Sequence, residues 1–212
     1  ALATHFQPTR VMDEDGKGLL IHPFEIVSIG GDDLILIVPA DKALDITLNI
    51  ASALEEVFHD GRSDYQKDAV AVQRYDKASF QAGGRSQISL SAGVVLAQEN
   101  NPIFFLSDIV QELLESAKDR AKHLNEHYAG GTVDFMALKS VTMVTSSVKE
   151  FRAAALREVK DPIRGSGCDV LHLTARPYTL HELRGLLRTA AALKKANFPR
   201  SQFFHLRQEL PK

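Results

Sequence analysis

The residues best suited to chemistry are Asp32 and Asp33, which close the sequence Gly30-Gly31-Asp32-Asp33 between two apolar runs. Phe24–Ile29 and Leu34–Val38 are rich in β-branched residues and have strand length. A glycine pair between such runs reads as a tight hairpin, because glycine accepts positive φ. Both carboxylates then project from the hairpin tip beside a bare glycine backbone. Two hard oxygen donors with room for a bulky ligand suit Mg²⁺ and metal-assisted phosphoryl chemistry. The same four residues also make an ordinary turn, so the motif by itself leaves both readings open.

The elements that must hold this turn follow from periodicity. Upstream, Thr9–Met12 and Leu19–Ile21 flank an acidic, glycine-containing loop and read as a hairpin. Downstream, Leu44, Leu48, Ala51 and Phe58 recur at helical spacing, so residues 40–59 are expected to be a helix. Residues 60–86 are polar and mixed, which reads as a long loop or a short insertion. Gln87–Gln98 reads as a buried strand whose central glycine implies close approach of a ligand or of another backbone. Ile103 to Tyr128 has one apolar stripe and reads as a long helix; Val133–Leu138 reads as a further strand. Helices are expected over 147–159, 179–196 and 199–210, with a short strand at 170–173.

Composition narrows the class. The chain has 212 residues, 44% hydrophobic and 25% charged, as expected of a globular protein with one large domain or one domain and an extension. Net charge is −2, so no global basic field draws nucleic acid, and any nucleotide contact must be local. Cys168 is the one cysteine, which excludes an intrachain disulfide and a cysteine zinc site. A reducing, cytoplasmic setting is expected. No run of about 18 apolar residues occurs, so no membrane span is expected. The chain does not begin with Met and is expected to be a fragment or a processed chain.

Several motifs in order resemble one family. Ile26–Leu34 is similar to the strand–GGDD–strand hairpin of the second palm domain in the large subunit of type III CRISPR effector complexes. Ser89-Leu90-Ser91-Ala92-Gly93-Val94 is similar to its S-x-S-A-G-V strand. Asn101-Pro102-Ile103 with Glu112–Lys118 resembles its long helix, and Val133-Asp134-Phe135 its x-D-F strand. The resemblance covers residues 23–140 well and Leu173–Leu180 more loosely. Compared with GGDEF cyclases, Asp33 stands for glutamate and Leu34 for phenylalanine. This favours a cyclase of the CRISPR type.

The resemblance implies an α+β fold: a ferredoxin-like palm, an antiparallel sheet with helices on one face, plus a mainly helical C-terminal extension. The palm would occupy residues 1–140 and the extension 141–212. The hairpin 23–39 would share one sheet with 87–97 and 133–139, and helices 40–59 and 102–127 would cover the same face. The implied activity is joining and cyclising ATP into cyclic oligonucleotides for antiviral defence, with Mg²⁺ or Mn²⁺ held by Asp32 and Asp33, Asp33 foremost. Gly30 and Gly31 would admit the nucleotide, Ser91 would face it, and Lys118 would meet the triphosphate. A cleft containing the hairpin tip, Ser91 and the start of the 102–127 helix is expected. Implied partners are a second palm, from another domain or a second copy of the chain, and CRISPR complex subunits and RNA.

The family's palm begins with a strand ending in another metal-binding aspartate, followed by a helix. Nothing before Pro23 reads that way, and Asp13 and Asp15 fall in a loop. That strand is expected upstream, on another chain, or not at all. The alternative function is therefore a degenerate palm that binds nucleotide or supports a multi-subunit complex. His123 and His127 are one helical turn apart with no apparent third ligand, and His59-Asp60 lacks the further histidines a hydrolase site needs. The arginines and lysines between Arg176 and Arg207 make the tail basic, as a solvated helical face or a surface for RNA or an acidic partner.

Overall fold

The computed structural model describes residues 2, 6–59, 89–124, 130–138, 147–155, 157–159, 170–172 and 175–209. The expected loop at 60–86 and His127 lie outside these residues. Two hairpins open the chain. Strands β1 (Thr9–Met12) and β2 (Gly18–Ile21) pair antiparallel, and Asp13 Oδ1 ties their loop by accepting from the backbone N–H of Asp15 and of Lys17. Strands β3 (Glu25–Gly30) and β4 (Asp33–Ile37) pair antiparallel, with a register shift at Val27. Helix α1 (Ala43–His59) follows.

The centre of the molecule is a three-stranded sheet in which Thr132–Ala137 lies between Ala92–Leu96 and Tyr178–Thr179. Strand β5 (Ala92–Leu96) runs parallel to β6 (Thr132–Ala137), and helix α2 (Ile103–Leu124) makes the crossover between them. Gly93 explains how closely α2 lies on β5. A Cβ placed there would collide with the backbone carbonyl of Val110 and come within 2.6 Å of the Leu114 nitrogen. The close approach expected at this glycine is therefore that of a helix backbone.

After β6 come α3 (Val148–Ala155), the short antiparallel pair β7 (Arg157–Val159) and β8 (Val170–His172), and β9 (Tyr178–Thr179). Strand β9 adds to the far edge of β6, with Thr132 opposite Thr179. Helix α4 (Leu180–Lys195) starts directly from it, through a capping box in which Thr179 and Glu182 satisfy each other's backbone N–H. Helix α5 (Arg200–Glu209) ends the described chain.

Alternation along β6 sorts the core into two layers. Val133 and Phe135 face one side, where they pack with Leu48 and Ala51 of α1, Tyr178, and Leu180 and Leu183 of α4. Met136 and the following Leu138 face the other side, with Ile109 and Leu113 of α2 and Val148 of α3. Strand β6 is buried on both faces except at Ala137, as a strand under helices on both sides must be.

The α+β class and the mainly helical C-terminal part stand. Two finer expectations are corrected. The hairpin β3–β4 does not share the sheet of β5 and β6; it forms a two-stranded sheet of its own. The helices do not share one face: α1 lies on one side of the sheet and α2 on the other. The parallel pairing of β5 and β6 needs a crossover helix, so α2 covers one face of the sheet, while α1 and α4 share the layer on the other.

Candidate functional site

The turn between β3 and β4 has two central residues, Gly31 and Asp32, closed by the pair Gly30–Asp33. Gly31 has φ +60°, while Asn197 is the only non-glycine with positive φ among the described residues. A positive first position followed by a negative second is the pattern of a type II′ turn, whose twist matches that of a hairpin. Glycine is needed at the first position, since an L side chain there costs about 1–2 kcal/mol. Asp32 sits in the turn itself and Asp33 at the first position of β4.

Both carboxylates are exposed, and neither makes an ion pair or hydrogen bond among the described residues. Nothing lies within 4 Å of where a Cβ would stand on Gly30 or Gly31. The tip thus offers two uncommitted hard-oxygen donors next to an open stretch of backbone. Among the described residues, no group of three or more His, Cys, Asp or Glu side chains is close enough to hold a metal ion. The flanking strands carry apolar side chains in solvent, Ile29 at 71% exposure being the extreme.

Ser91 is linked at one end of the central sheet to the turn of α2 that precedes Lys118. Ser91 Oγ lies 3.3 Å from Thr132 Oγ1, and Thr132 Oγ1 donates to the Ala117 carbonyl at 2.6 Å. Lys118 is the next residue of α2, exposed and without an ion pair among the described residues. Ser91 therefore meets the later turns of α2. The expected neighbour, the start of that helix, is about 20 Å away at a rise of 1.5 Å per residue. It lies beyond the other end of β5, where Phe104 is exposed. Thr132 joins Ser91 to α2, and only its place directly after Gly130-Gly131 marks it in the sequence. No contact between the hairpin tip and this Ser91–Lys118 end is among the interactions of the described residues.

The rest of the polar framework ties the C-terminal part to β6 and α2. Asp134, at 0% exposure on β6, receives Arg152 of α3 through two hydrogen bonds, Nη1 to Oδ2 at 2.6 Å and Nη2 to Oδ1 at 2.9 Å. Arg152 Nη2 also donates to the Phe135 carbonyl at 3.3 Å. The Arg176 guanidinium stacks 4.2 Å over the Phe135 ring. Burial pulls the pKa of Arg176 below its usual value; Tyr178 opposes that shift, Arg152 adds to it, and Asp134 opposes it. On α2, Arg120 donates to both oxygens of buried Glu182 at 3.2 and 3.1 Å, and Glu112 accepts from the Val148 N–H at the start of α3. The x-D-F strand singled out in the sequence thus carries a structural ion pair whose partner, Arg152, sequence reasoning did not find.

A glycine–aspartate hairpin before a helix, followed by a β-strand, a long helix and a strand, defines a palm-type α+β module. Residues 9–127, more than half of the chain, match the family described as Cas10/Cmr2, second palm domain, and the chain belongs to that family. It is thus a palm module of the kind found in the large subunit of type III CRISPR complexes. Neither a search of curated proteins nor one of solved structures gives a match. Among the described residues, no helix is long and apolar enough to cross a membrane.

Proposed function

We propose that the chain is a cytoplasmic nucleotidyltransferase module that joins and cyclises ATP in CRISPR-type antiviral defence. The observation carrying this reading is the hairpin tip: Asp32 and Asp33, exposed and uncommitted, beside the open backbone of Gly30 and Gly31. The donor set fits Mg²⁺ or Mn²⁺. Mg²⁺ is commonly bound by one or two carboxylates, with waters and substrate phosphates completing its coordination. When bound there, the metal would lower the pKa of an attacking 3′-hydroxyl and neutralise charge on the departing pyrophosphate.

The chain's own groups then have simple roles. Asp32 and Asp33 hold the metal, with Asp33, anchored in the strand ladder, the more firmly positioned. Gly30 and Gly31 leave room for the phosphates. Lys118 supplies a mobile cation for a triphosphate, and Ser91 borders that end of the sheet. A second palm, from a copy of this chain or another domain of a CRISPR complex, would bring the second nucleotide; RNA would be a partner of that assembly.

A second reading is favoured by one observation. No third ligating side chain is grouped with Asp32 and Asp33 among the described residues; on this reading the module holds nucleotide without turnover, as a degenerate palm that supports a complex. One experiment separates the two. The full-length protein is incubated with ATP and Mg²⁺ or Mn²⁺, and pyrophosphate and oligonucleotides are assayed beside the D32A/D33A variant. Products that vanish in the variant support the enzyme. Metal-dependent ATP binding without products supports the binding module. ATP affinity indifferent both to metal and to the variant removes the hairpin from either role.

A further inference from the structure

We propose that the cleft between α1 and α4 binds a nucleoside monophosphate unit, at a site separate from the Asp32–Asp33 hairpin and independent of metal. The cleft is a shallow groove open to solvent, with about 300 Å³ of space, at the small end of the range for ligand pockets. Its chemistry is divided. Arg184 and Arg188, one turn apart on α4, form one lip, and Asp45 of α1 stands on the other. Leu48, Leu187 and Ala191, with the polar Asn49 beside them, line the surface between them.

Each part selects for something. Two arginines four residues apart, about 6 Å along one helix face, can bring both guanidinium groups to a single phosphate, with paired donors that match its oxygens. Arg184 is already oriented, because its Nη2 donates to Ser52 Oγ of α1 at 2.9 Å. Asp45 makes no ion pair with either arginine. Its carboxylate would repel a second anionic group but accept a hydrogen bond from a hydroxyl or amine. That disfavours an acidic peptide bearing several carboxylates. An anionic end, a largely apolar middle that also includes the Asn49 amide, and a donor at the far end together describe a nucleotide: phosphate on the arginines, base against Leu48, Leu187 and Asn49, ribose or amino donor on Asp45. The nucleotide can be free or part of a single-stranded RNA, and the same contacts serve both.

The test titrates AMP into the full chain by calorimetry in excess EDTA, which silences any metal site at the hairpin. Arg184→Ala/Arg188→Ala should weaken AMP at least about tenfold, as expected when charge-assisted hydrogen bonds are lost. Asp32→Ala/Asp33→Ala should leave AMP affinity unchanged. Adenosine and inorganic phosphate should each bind at least about tenfold more weakly than AMP. Arg184→Lys/Arg188→Lys keeps the charge, guards against a folding artefact, and should restore only part of the affinity, because lysine lacks the planar fork. Tetra-adenylate binding more tightly than AMP would identify an RNA strand as the source; AMP binding as tightly or more would identify the free nucleotide. Absence of binding by AMP and tetra-adenylate alike would overturn the proposal. So would affinity unmoved by the arginine variants, or equal competition by inorganic phosphate or tetra-aspartate.

Discussion

Removing the carboxylate of Asp134 should be among the most damaging single changes in the protein. Asp134 is at 0% side-chain exposure and Arg152 at 13%, so the pair is almost wholly out of water. Asp134→Ala deletes both strong hydrogen bonds and leaves the Arg152 charge uncompensated, with only the Phe135 carbonyl as acceptor and an Nε that already lacks a partner. Arg176 feels both charges, so without Asp134 the repulsion between Arg152 and Arg176 is no longer offset by that carboxylate. Breaking a buried pair from one side typically costs about 3–5 kcal/mol. Against a total stability of about 5–15 kcal/mol, that is a large share. For a chain of this length it corresponds to a melting temperature lower by roughly 10 °C. Urea denaturation followed by circular dichroism measures it. Asp134→Leu/Arg152→Met, which removes both charges and refills the volume, should recover most of the loss. If Asp134→Ala cost less than about 1 kcal/mol, or the double variant were no better than the single, the buried-charge argument would be wrong.

Three further outcomes are expected. Gly93→Ala forces a methyl into the backbone of α2 at Val110 and Leu114, and should cost at least about 2 kcal/mol in the same denaturation assay, an overpacking effect; a neutral result would show that α2 can shift outward freely. Thr179→Ala removes the side chain that caps α4 and should cost about 1 kcal/mol, with Thr179→Ser retaining most of the stability. Asp32→Ala/Asp33→Ala should change stability by no more than about 0.5 kcal/mol, since both side chains are exposed and unpaired, while abolishing Mg²⁺-dependent ATP binding by calorimetry; a large loss of stability would mean the carboxylates are structural.

The local elements were legible because their signals are local. The Gly-Gly-Asp-Asp turn, the acidic first hairpin and the helices beginning near Ala43, Ile103, Leu180 and Arg200 all sit where periodicity and turn residues place them. What periodicity cannot say is which side of a sheet a helical stripe lands on. An amphipathic helix announces one buried face and nothing about its neighbour. Strand β6 compounded this, since Val133, Phe135, Met136 and Leu138 read as one apolar run rather than as an alternation that favours a face. One clue to parallel pairing was present: the 35 residues between Leu96 and Thr132 contain a helix long enough for a crossover. The hairpin's chemical groups were visible in the sequence, but the joining of Ser91 to the Ala117–Lys118 turn through Thr132 depends on that crossover. The Asp134–Arg152 pair depends on where α3 docks, which no local pattern encodes.

The late arrival of β9 has a consequence during synthesis. Val133 of β6 pairs with Tyr178, about 45 residues further along the chain. A ribosome working at about 5–20 residues per second needs roughly 2–9 s to make that stretch. Throughout that interval the outer edge of β6 has no β9 to pair with, and Val133 and Phe135 lack the cover of Leu180 and Leu183. An open apolar strand edge is an invitation to pair with a neighbouring nascent chain. Yield in the cell should therefore respond to translation speed and chaperone supply between residues 133 and 183 more than anywhere upstream.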